Sequence, residues 1–207
     1  MHDTIKVASL NCAGLSAHFI DIQADEKLMK ADIIHLVETS LKEGEGQHLN
    51  LPGYQSHFLN IGTGKGIVTY FKETLFSHEK AFAAANMQIT KFRSNQVDVM
   101  NVYRSYNGNS VELLNHIIEM MTPSKPLLLT GDFNICMLYH GNNRMSKGLL
   151  KSGFKQMVKE ATHIRGGHID HVYWLDENGV WKNPQLELYC PYYSDHDASL
   201  ITLTTRG

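Results

Sequence analysis

The sequence predicts an α/β sandwich: two mixed β-sheets packed together, with helices outside them. Three observations carry this. Short apolar, β-branched runs recur along the 207 residues, separated by amphipathic stretches. Some runs alternate with period two, and others are apolar throughout, as expected of strands buried on one face and on both. Strands mixed in this order with two or three helices form a layered domain with one core.

The elements follow in chain order. Ile5-Lys6-Val7-Ala8-Ser9-Leu10 alternates and reads as a strand. His18 to Lys30 reads as an amphipathic helix with Phe19, Ile22, Leu28 and Met29 inward. Ile33 to Val37 is a short continuous apolar strand. Gly62-Thr63-Gly64-Lys65-Gly66 lacks phosphate-loop spacing and precedes a strand, so it reads as a hairpin turn before the strand Gly66 to Phe71. Gln96 to Tyr103 is a further strand. Ser110 is a plausible N-cap for a helix to Met121, ended by Pro123 and Pro126. Leu127 to Thr130 is a buried strand, Lys147 to Glu160 a helix, and Ile169 to Leu175 and Ala198 to Thr204 the last strands.

Composition narrows the class. Apolar residues are 43% and charged residues 19%, an ordinary globular balance. A chain of this length buries roughly 70% of its unfolded surface and needs no disulfide or metal to fold. The three cysteines, Cys12, Cys136 and Cys190, are odd in number and widely spread, which fits a reducing, intracellular setting rather than secretion. No apolar run reaches the ~18 residues of a membrane span, and the N-terminus lacks a signal-peptide pattern. With a net charge of −2 the chain is not a basic nucleic-acid coat. Residues 1–207 read as one domain without repeats or linkers.

Several of these strands meet a polar turn. The first ends at Asn11 and the next at Glu38. Leu127 to Thr130 runs into Gly131-Asp132-Phe133-Asn134. A later strand starts at Ile169-Asp170-His171, and Ser194-Asp195-His196 precedes the last. Polar groups at one end of several buried strands converge on a single crevice. Carboxylates there would repel one another without a cation, and oxygen donors of this kind suit Mg²⁺ or Mn²⁺. A hard ion, a histidine and amide donors together suit phosphodiester cleavage, in which charge builds on the non-bridging oxygens.

Asn11, Val37-Glu38-Thr39, Gly131-Asp132-Phe133-Asn134, Ile169-Asp170-His171 and Ser194-Asp195-His196 stand in the order of the endonuclease/exonuclease/phosphatase family, which includes DNase I and the apurinic/apyrimidinic endonucleases. The resemblance covers nearly the whole chain and implies the DNase I-like four-layer fold. Asn101-Val102-Tyr103-Arg104 and Ala161-Thr162-His163 resemble segments of the endonuclease domains of non-LTR retrotransposons and related transposable elements.

The resemblance implies roles residue by residue. Glu38 resembles the principal metal ligand, with Asp195 and Asn11 on the metal side. Asn11 and Asn134 resemble the amides around the scissile phosphate, and Asp132 the residue that aligns or deprotonates the attacking water. His196 resembles the phosphate-contacting histidine, its ring held by Asp170. Tyr103 would donate to a phosphate oxygen. Arg104, Thr162, Asn142 and Arg144 are the expected substrate contacts. The implied activity is a Mg²⁺-dependent DNA endonuclease, with Mn²⁺ as substitute, that leaves 3′-hydroxyl and 5′-phosphate ends. The implied partner is double-stranded DNA, cut by a monomer excised from a larger protein with a reverse transcriptase or helicase, working in the nucleus and not at a membrane. One departure is Ala13, where apurinic endonucleases carry an aspartate, so metal dependence is expected without two tight sites.

Other readings stand beside this one. Asp132 and Asn134 also suit an Asx-turn, which is compatible with catalysis. His163, His168 and His171 match no zinc spacing. His171 is assigned to the structure rather than the site. Cys12 and Cys136 read as packing residues. Lys65, Lys72, Lys91, Arg93, Arg104, Arg144, Lys147 and Arg165 form either a phosphate-tracking rim or scattered solvated charge. The same fold acting on RNA, abasic DNA, phosphotyrosyl-DNA or a small phosphoester is the alternative. The short stretches Gly62–Gly64 and Asn107–Asn109 favour an open platform for a duplex. A non-catalytic module would have little reason to keep so many charges in one crevice.

Overall fold

The computed structural model describes residues 4–140 and 143–206. Its strands are β1 (Thr4–Asn11), β2 (Ile33–Val37), β3 (Gln55–Leu59), β4 (Ile67–Phe71), β5 (Ser77–Ala84), β6 (Met87–Arg93), β7 (Asp98–Arg104), β8 (Leu127–Asp132), β9 (Lys155–Gln156), β10 (Asp170–Leu175), β11 (Gln185–Tyr189) and β12 (Ala198–Thr204). The helices are α1 (Leu15–Ala24), α2 (Ser110–Met120), the short α3 (Met137–His140) and α4 (Arg144–Lys151). Two sheets of six strands result, in the spatial orders β11-β12-β1-β2-β4-β3 and β5-β6-β7-β8-β10-β9. No helix among the described residues is long and apolar enough to cross a membrane.

The two sheets share one pairing pattern. Each has a single parallel pair, β1 with β2 or β7 with β8, flanked on both sides by antiparallel strands. A parallel pair needs a crossover, and α1 and α2 lie in the two crossovers. The pairing repeats although no sequence repeat does. Both parallel pairs end in crevice residues: Asn11 lies beside Val37, and Tyr103 beside Asp132.

The period-two pattern of β1 separates two layers. Ile5 and Val7 join Ile33, Phe92, Val99, Leu128 and Val172 between the sheets. Ala8 and Leu10 join Leu15, Ile22 and Leu28 beneath α1. On the opposite outer face, Leu113 and Ile117 of α2 and Met145 and Leu149 of α4 cover Ile89, Met100 and Leu129. With helices on both outer faces, the central strands β2, β4 and β8 are buried along their length, which explains their continuous apolar runs.

Two expected helices are shorter than their patterns. His18 to Lys30 breaks at Asp25, whose Oδ1 accepts the N–H groups of Lys27 and Leu28 and turns the chain into a 3-10 turn at Leu28–Lys30. Ile22 and Leu28 are buried as expected, while Phe19 and Met29 only pack against that core. Lys147 to Glu160 ends at Lys151. Gly153, at φ 91°, takes the left-handed turn, its N–H donates to Leu150 O, and Phe154 N–H donates to Leu149 O. The chain then enters edge strand β9. The N-cap of α2 is Asn109, whose side chain accepts from Val111 and Glu112, rather than Ser110.

Candidate active site

One row of the second sheet places three site residues side by side. Tyr103 in β7 is in register with Asp132 in β8, and Asp132 with Asp170 in β10. The strand that carries Asp132 approaches β7 so closely at Gly131 that a Cβ there would lie 1.9 Å from Val102 O, and its φ is 136°. Only glycine fits this position. From the first sheet, Asn11 Nδ2 donates to Asp132 Oδ2 at 2.9 Å, a contact between the sheets across 121 residues of sequence. Asn11 Oδ1 accepts from Ala13 N–H at 3.0 Å, so both ends of the amide are fixed.

The turns after the strands are held in the left-handed region. Ala13 has φ 50°, Glu38 φ 54°, Ser40 φ 59° and Asn134 φ 49°. Such non-glycine residues cost about 1–3 kcal/mol each and persist where surrounding bonds over-determine them. Here Gly14 N–H donates to Glu38 O at 2.8 Å, and Asn134 N–H to Asp132 Oδ1 at 3.0 Å. Asn134 Nδ2 donates to Arg104 O at 2.7 Å. The Asx-turn is therefore present, and it aims Asp132 at the same time.

His196 sits above this row. Its Nδ1–H donates to Asp170 Oδ2 at 2.8 Å, and its Nε2 lies 4.0 Å from Asp132 and 3.9 Å from Asp195. Burial by itself lowers the His196 pKa, but the hydrogen bond and charge of Asp170, then the charges of Asp132 and Asp195, raise it to about 9. At neutral pH the ring is an imidazolium. Asp132 moves the other way from an ordinary carboxylate: burial, then the charge of Asp170, pushes its pKa well up, against His196 and Asn11, which lower it. Tyr103 donates to Gly64 O at 2.9 Å. Burial, then the charges of Glu38 and Asp132, raises its phenol far above the usual range, so it keeps its proton; that proton goes to Gly64 O rather than to a phosphate, a correction to the expected contact. Ser194 secures the last turn, donating to Asn11 O at 2.6 Å and accepting from His196 N–H.

The structure thus brings Asn11, Glu38, Tyr103, Asp132, Asp170 and His196 to one end of the sandwich, with Asp195 at the rim, its side chain 52% exposed. Two expected substrate contacts have other partners. The Arg104 guanidinium is buried and donates to the backbone carbonyls of Phe133, Ser105, Tyr106, Gly108 and Asn134, cradling the loops behind the crevice. Thr162 is fully buried, its hydroxyl donating to Asp170 Oδ2 at 2.8 Å and accepting from Asp170 N–H. Both are corrections: five carbonyls in one case and a carboxylate in the other leave no group for a phosphate. Arg144 is exposed at the start of α4, and Asn142 lies outside the described residues.

Of the two readings of the cations, scattered charge holds for several of them. β7 runs from Asp98 to the crevice at Tyr103, so Asp98 lies at the opposite end, ~17 Å away at the rise of a strand. Lys91 and Arg93 pair there with Asp98 and Glu79, and Lys72 pairs with Asp32 at the start of β2. Lys65, in the hairpin next to Gly64, and exposed Arg165 remain near the site. His171 is a core residue: it stacks on Phe133 at 4.8 Å, Ile135 O sits 2.8 Å from its Nε2, and burial lowers its pKa to about 3.

The donors suit a hard cation. Asp132, Asp170 and His196, and likewise His163, Asp195 and His196, bring polar atoms within 4.8 Å of one another, but the His196 imidazolium has no lone pair for a metal, so the carboxylate oxygens are the ligands on offer. Buried carboxylates with Glu38 beside them and one imidazolium in balance leave a negative crevice lined by oxygen, the chemistry of Mg²⁺ or Mn²⁺. His163, in contact with Asp195, is the neighbour that the sequence left without a role. Its only signal there was adjacency to Thr162.

The chain matches the family model described as Endonuclease/Exonuclease/phosphatase family over residues 8–196. Among curated proteins no sequence matches it. Solved structures share its fold. The 3′ phosphatase NExo from Neisseria, bound to product DNA hairpin, superposes with a TM-score of 0.73 at 17% identity, over 98% of this chain and 100% of that one. The endonuclease domain of TRAS1, a telomere-specific non-LTR retrotransposon, gives 0.67 at 15%, over 99% and 100%. An AP endonuclease from Archaeoglobus fulgidus gives 0.72 at 15%, over 95% and 98%.

Proposed function

We propose that this chain, which belongs to the endonuclease/exonuclease/phosphatase family, is a Mg²⁺-dependent DNA endonuclease of the transposable-element kind. Members of that family hydrolyse phosphodiesters or phosphate esters. The observation that carries the reading is the pairing of Asp132, a carboxylate pushed towards proton affinity at neutral pH, with His196, an imidazolium held by Asp170, across 4.0 Å.

Asp132 takes the proton of the attacking water. His196 Nε2–H donates to a non-bridging oxygen, where charge develops, while the Tyr103 hydroxyl, which donates to Gly64 O, holds the hairpin at the edge of the crevice. Asn11 and Asn134 align the phosphate, and Arg104 keeps the Asn134 loop in place. A divalent cation held by Glu38, with Asp195 and Asn11, would supply charge neutralisation of the phosphate and lower the proton affinity of Asp132. Ala13 offers no ligand, which fits one principal metal position. Attack of that water on phosphorus breaks the P–O3′ bond, and O3′ leaves and takes a proton from solvent, which gives 3′-hydroxyl and 5′-phosphate ends.

Duplex DNA suits the open crevice between short loops, with Lys65 and Arg165 at its edge. The resemblance to transposon endonucleases carries with it a monomer within a larger parent and a nuclear workplace. The end chemistry is the test. Circles nicked once by the enzyme should be resealed by DNA ligase without kinase or phosphatase treatment. Nicks that ligase cannot seal would refute the product assignment.

A further inference from the structure

We infer that His163 is a positioning residue that aims Asp195, and that it does so from the same loop that holds Asp170. The inference rests on reading this crevice as a metal-assisted phosphodiesterase site. The loop closes tightly: Thr162 N–H and His163 N–H both donate to Gly167 O, at 2.9 and 3.0 Å, and Gly166 N–H donates to His163 O at 2.8 Å. It is also clamped to the segment that carries Asp195 and His196. Asp197 N–H donates to Thr162 O at 2.7 Å, Ile164 N–H donates to Asp195 O at 2.9 Å, and His163 and His196 form an antiparallel bridge.

Two consecutive side chains of this loop therefore serve the two carboxylates that flank His196. Thr162 donates to Asp170 Oδ2, and His163 turns its Nε2 to Asp195 Oδ2 at 3.3 Å. The backbone sets the tautomer of His163. Arg165 N–H donates to His163 Nδ1 at 3.1 Å, so Nδ1 carries the lone pair and the proton sits on Nε2, the ring atom nearest Asp195, in close polar contact with it. The same bond makes His163 a poor metal ligand, since Nε2 would have to give up its proton while Nδ1 accepts. The ring cannot swing freely: its side chain is only 15% exposed, and it packs edge-on against His196 at 4.7 Å. Asp195 is half-exposed and would otherwise sample several rotamers. Fixing its Oδ2 from outside directs Oδ1 towards His196 Nε2, 3.9 Å away, and into the crevice.

The test uses plasmid nicking and Mn²⁺ affinity by calorimetry on wild type, His163→Ala, His163→Gln, His163→Leu, Asp195→Ala and the double variant His163→Ala/Asp195→Ala, with thermal melts for folding. Residues that orient a metal ligand typically contribute about 10–100-fold in affinity, so His163→Ala should weaken Mn²⁺ binding by about tenfold and slow nicking comparably. Glutamine, which keeps an N–H donor, should recover most of both, whereas leucine, which packs but cannot donate, should not. In the Asp195→Ala background, loss of His163 should have no further effect. Additive losses, or leucine performing as well as glutamine, overturn the inference; the Gln and Leu pair decides the matter if the Ala variant does not fold. Nicking and Mn²⁺ binding unchanged in every His163 variant remove the inference and leave the functional reading intact. His163-dependent Mn²⁺ binding without any DNA cleavage does the reverse.

Discussion

Replacing Asp170 by asparagine should move the pH optimum of the enzyme. Asp170 Oδ2 accepts from His196 Nδ1 at 2.8 Å, and its bond and charge are the leading influences that raise the His196 pKa to about 9 against burial. Without that carboxylate, burial is opposed only by the charges of Asp132 and Asp195, and the ring should titrate close to its ordinary ~6.5. A fall from about 9 to ~6.5 is roughly 3 kcal/mol of lost preference for the charged ring. At pH 8 the protonated fraction drops from ~0.9 to ~0.03, so cleavage that needs the imidazolium should slow about 30-fold there. At pH 6 most of the loss should be recovered. The assay is a pH–rate profile of nicking for wild type and Asp170→Asn, with the His196 ring followed by NMR. The stability gap between the two proteins should run the opposite way with pH, widest below ~6.5 and closing towards pH 9. A raised histidine pKa stabilises the native state fully below the unfolded value and ceases to do so as pH rises through about 9. A variant that loses activity equally at all pH values would refute the assignment of the imidazolium as the acting species.

Three further outcomes are expected. Gly131→Ala places a Cβ 1.9 Å from Val102 O at φ 136°, so it should destabilise by about 3 kcal/mol or more in urea melts; an unchanged midpoint would contradict the close approach of β7 and β8. His35 and His171 are fully buried with pKa values lowered to about 3, so each resists protonation that the unfolded chain accepts below ~6.5. Stability should fall by about 1.4 kcal/mol per histidine for each pH unit below that point, and equal urea midpoints at pH 7 and pH 5 would count against it. Mg²⁺ or Mn²⁺ should raise the melting temperature in a concentration-dependent way, and Glu38→Ala should abolish the rise; a shift that survives that variant would move the cation elsewhere.

The strands that carry the site were the most legible because they are central. Buried on both faces, β2 and β8 announce themselves by composition alone, and their polar ends stand out. The edge strands β3, β5 and β11 are half-exposed and leave no clear period. The strand β6 is disguised by Lys91, a fully buried lysine that bonds Thr122 and pairs with Asp98 and Glu79. At the site, residue type pointed to the crevice but not to the partner. Arginine and threonine near a phosphate-handling centre suggest substrate contact, yet Arg104 binds carbonyls and Thr162 binds Asp170, and both depend on contacts distant in sequence or closed by a loop. The junction of Asn11 with Asp132 spans 121 residues and two sheets, which no local pattern encodes.

The most direct measurement is nicking of supercoiled plasmid by wild type and His196→Ala in Mg²⁺, Mn²⁺ and EDTA. Nicking by the wild type with either cation, abolished by EDTA and reduced at least about 100-fold in His196→Ala, is the predicted result. A folded, cation-stabilised wild type that leaves the plasmid intact, or nicking that persists in EDTA and in the variant, would contradict the account.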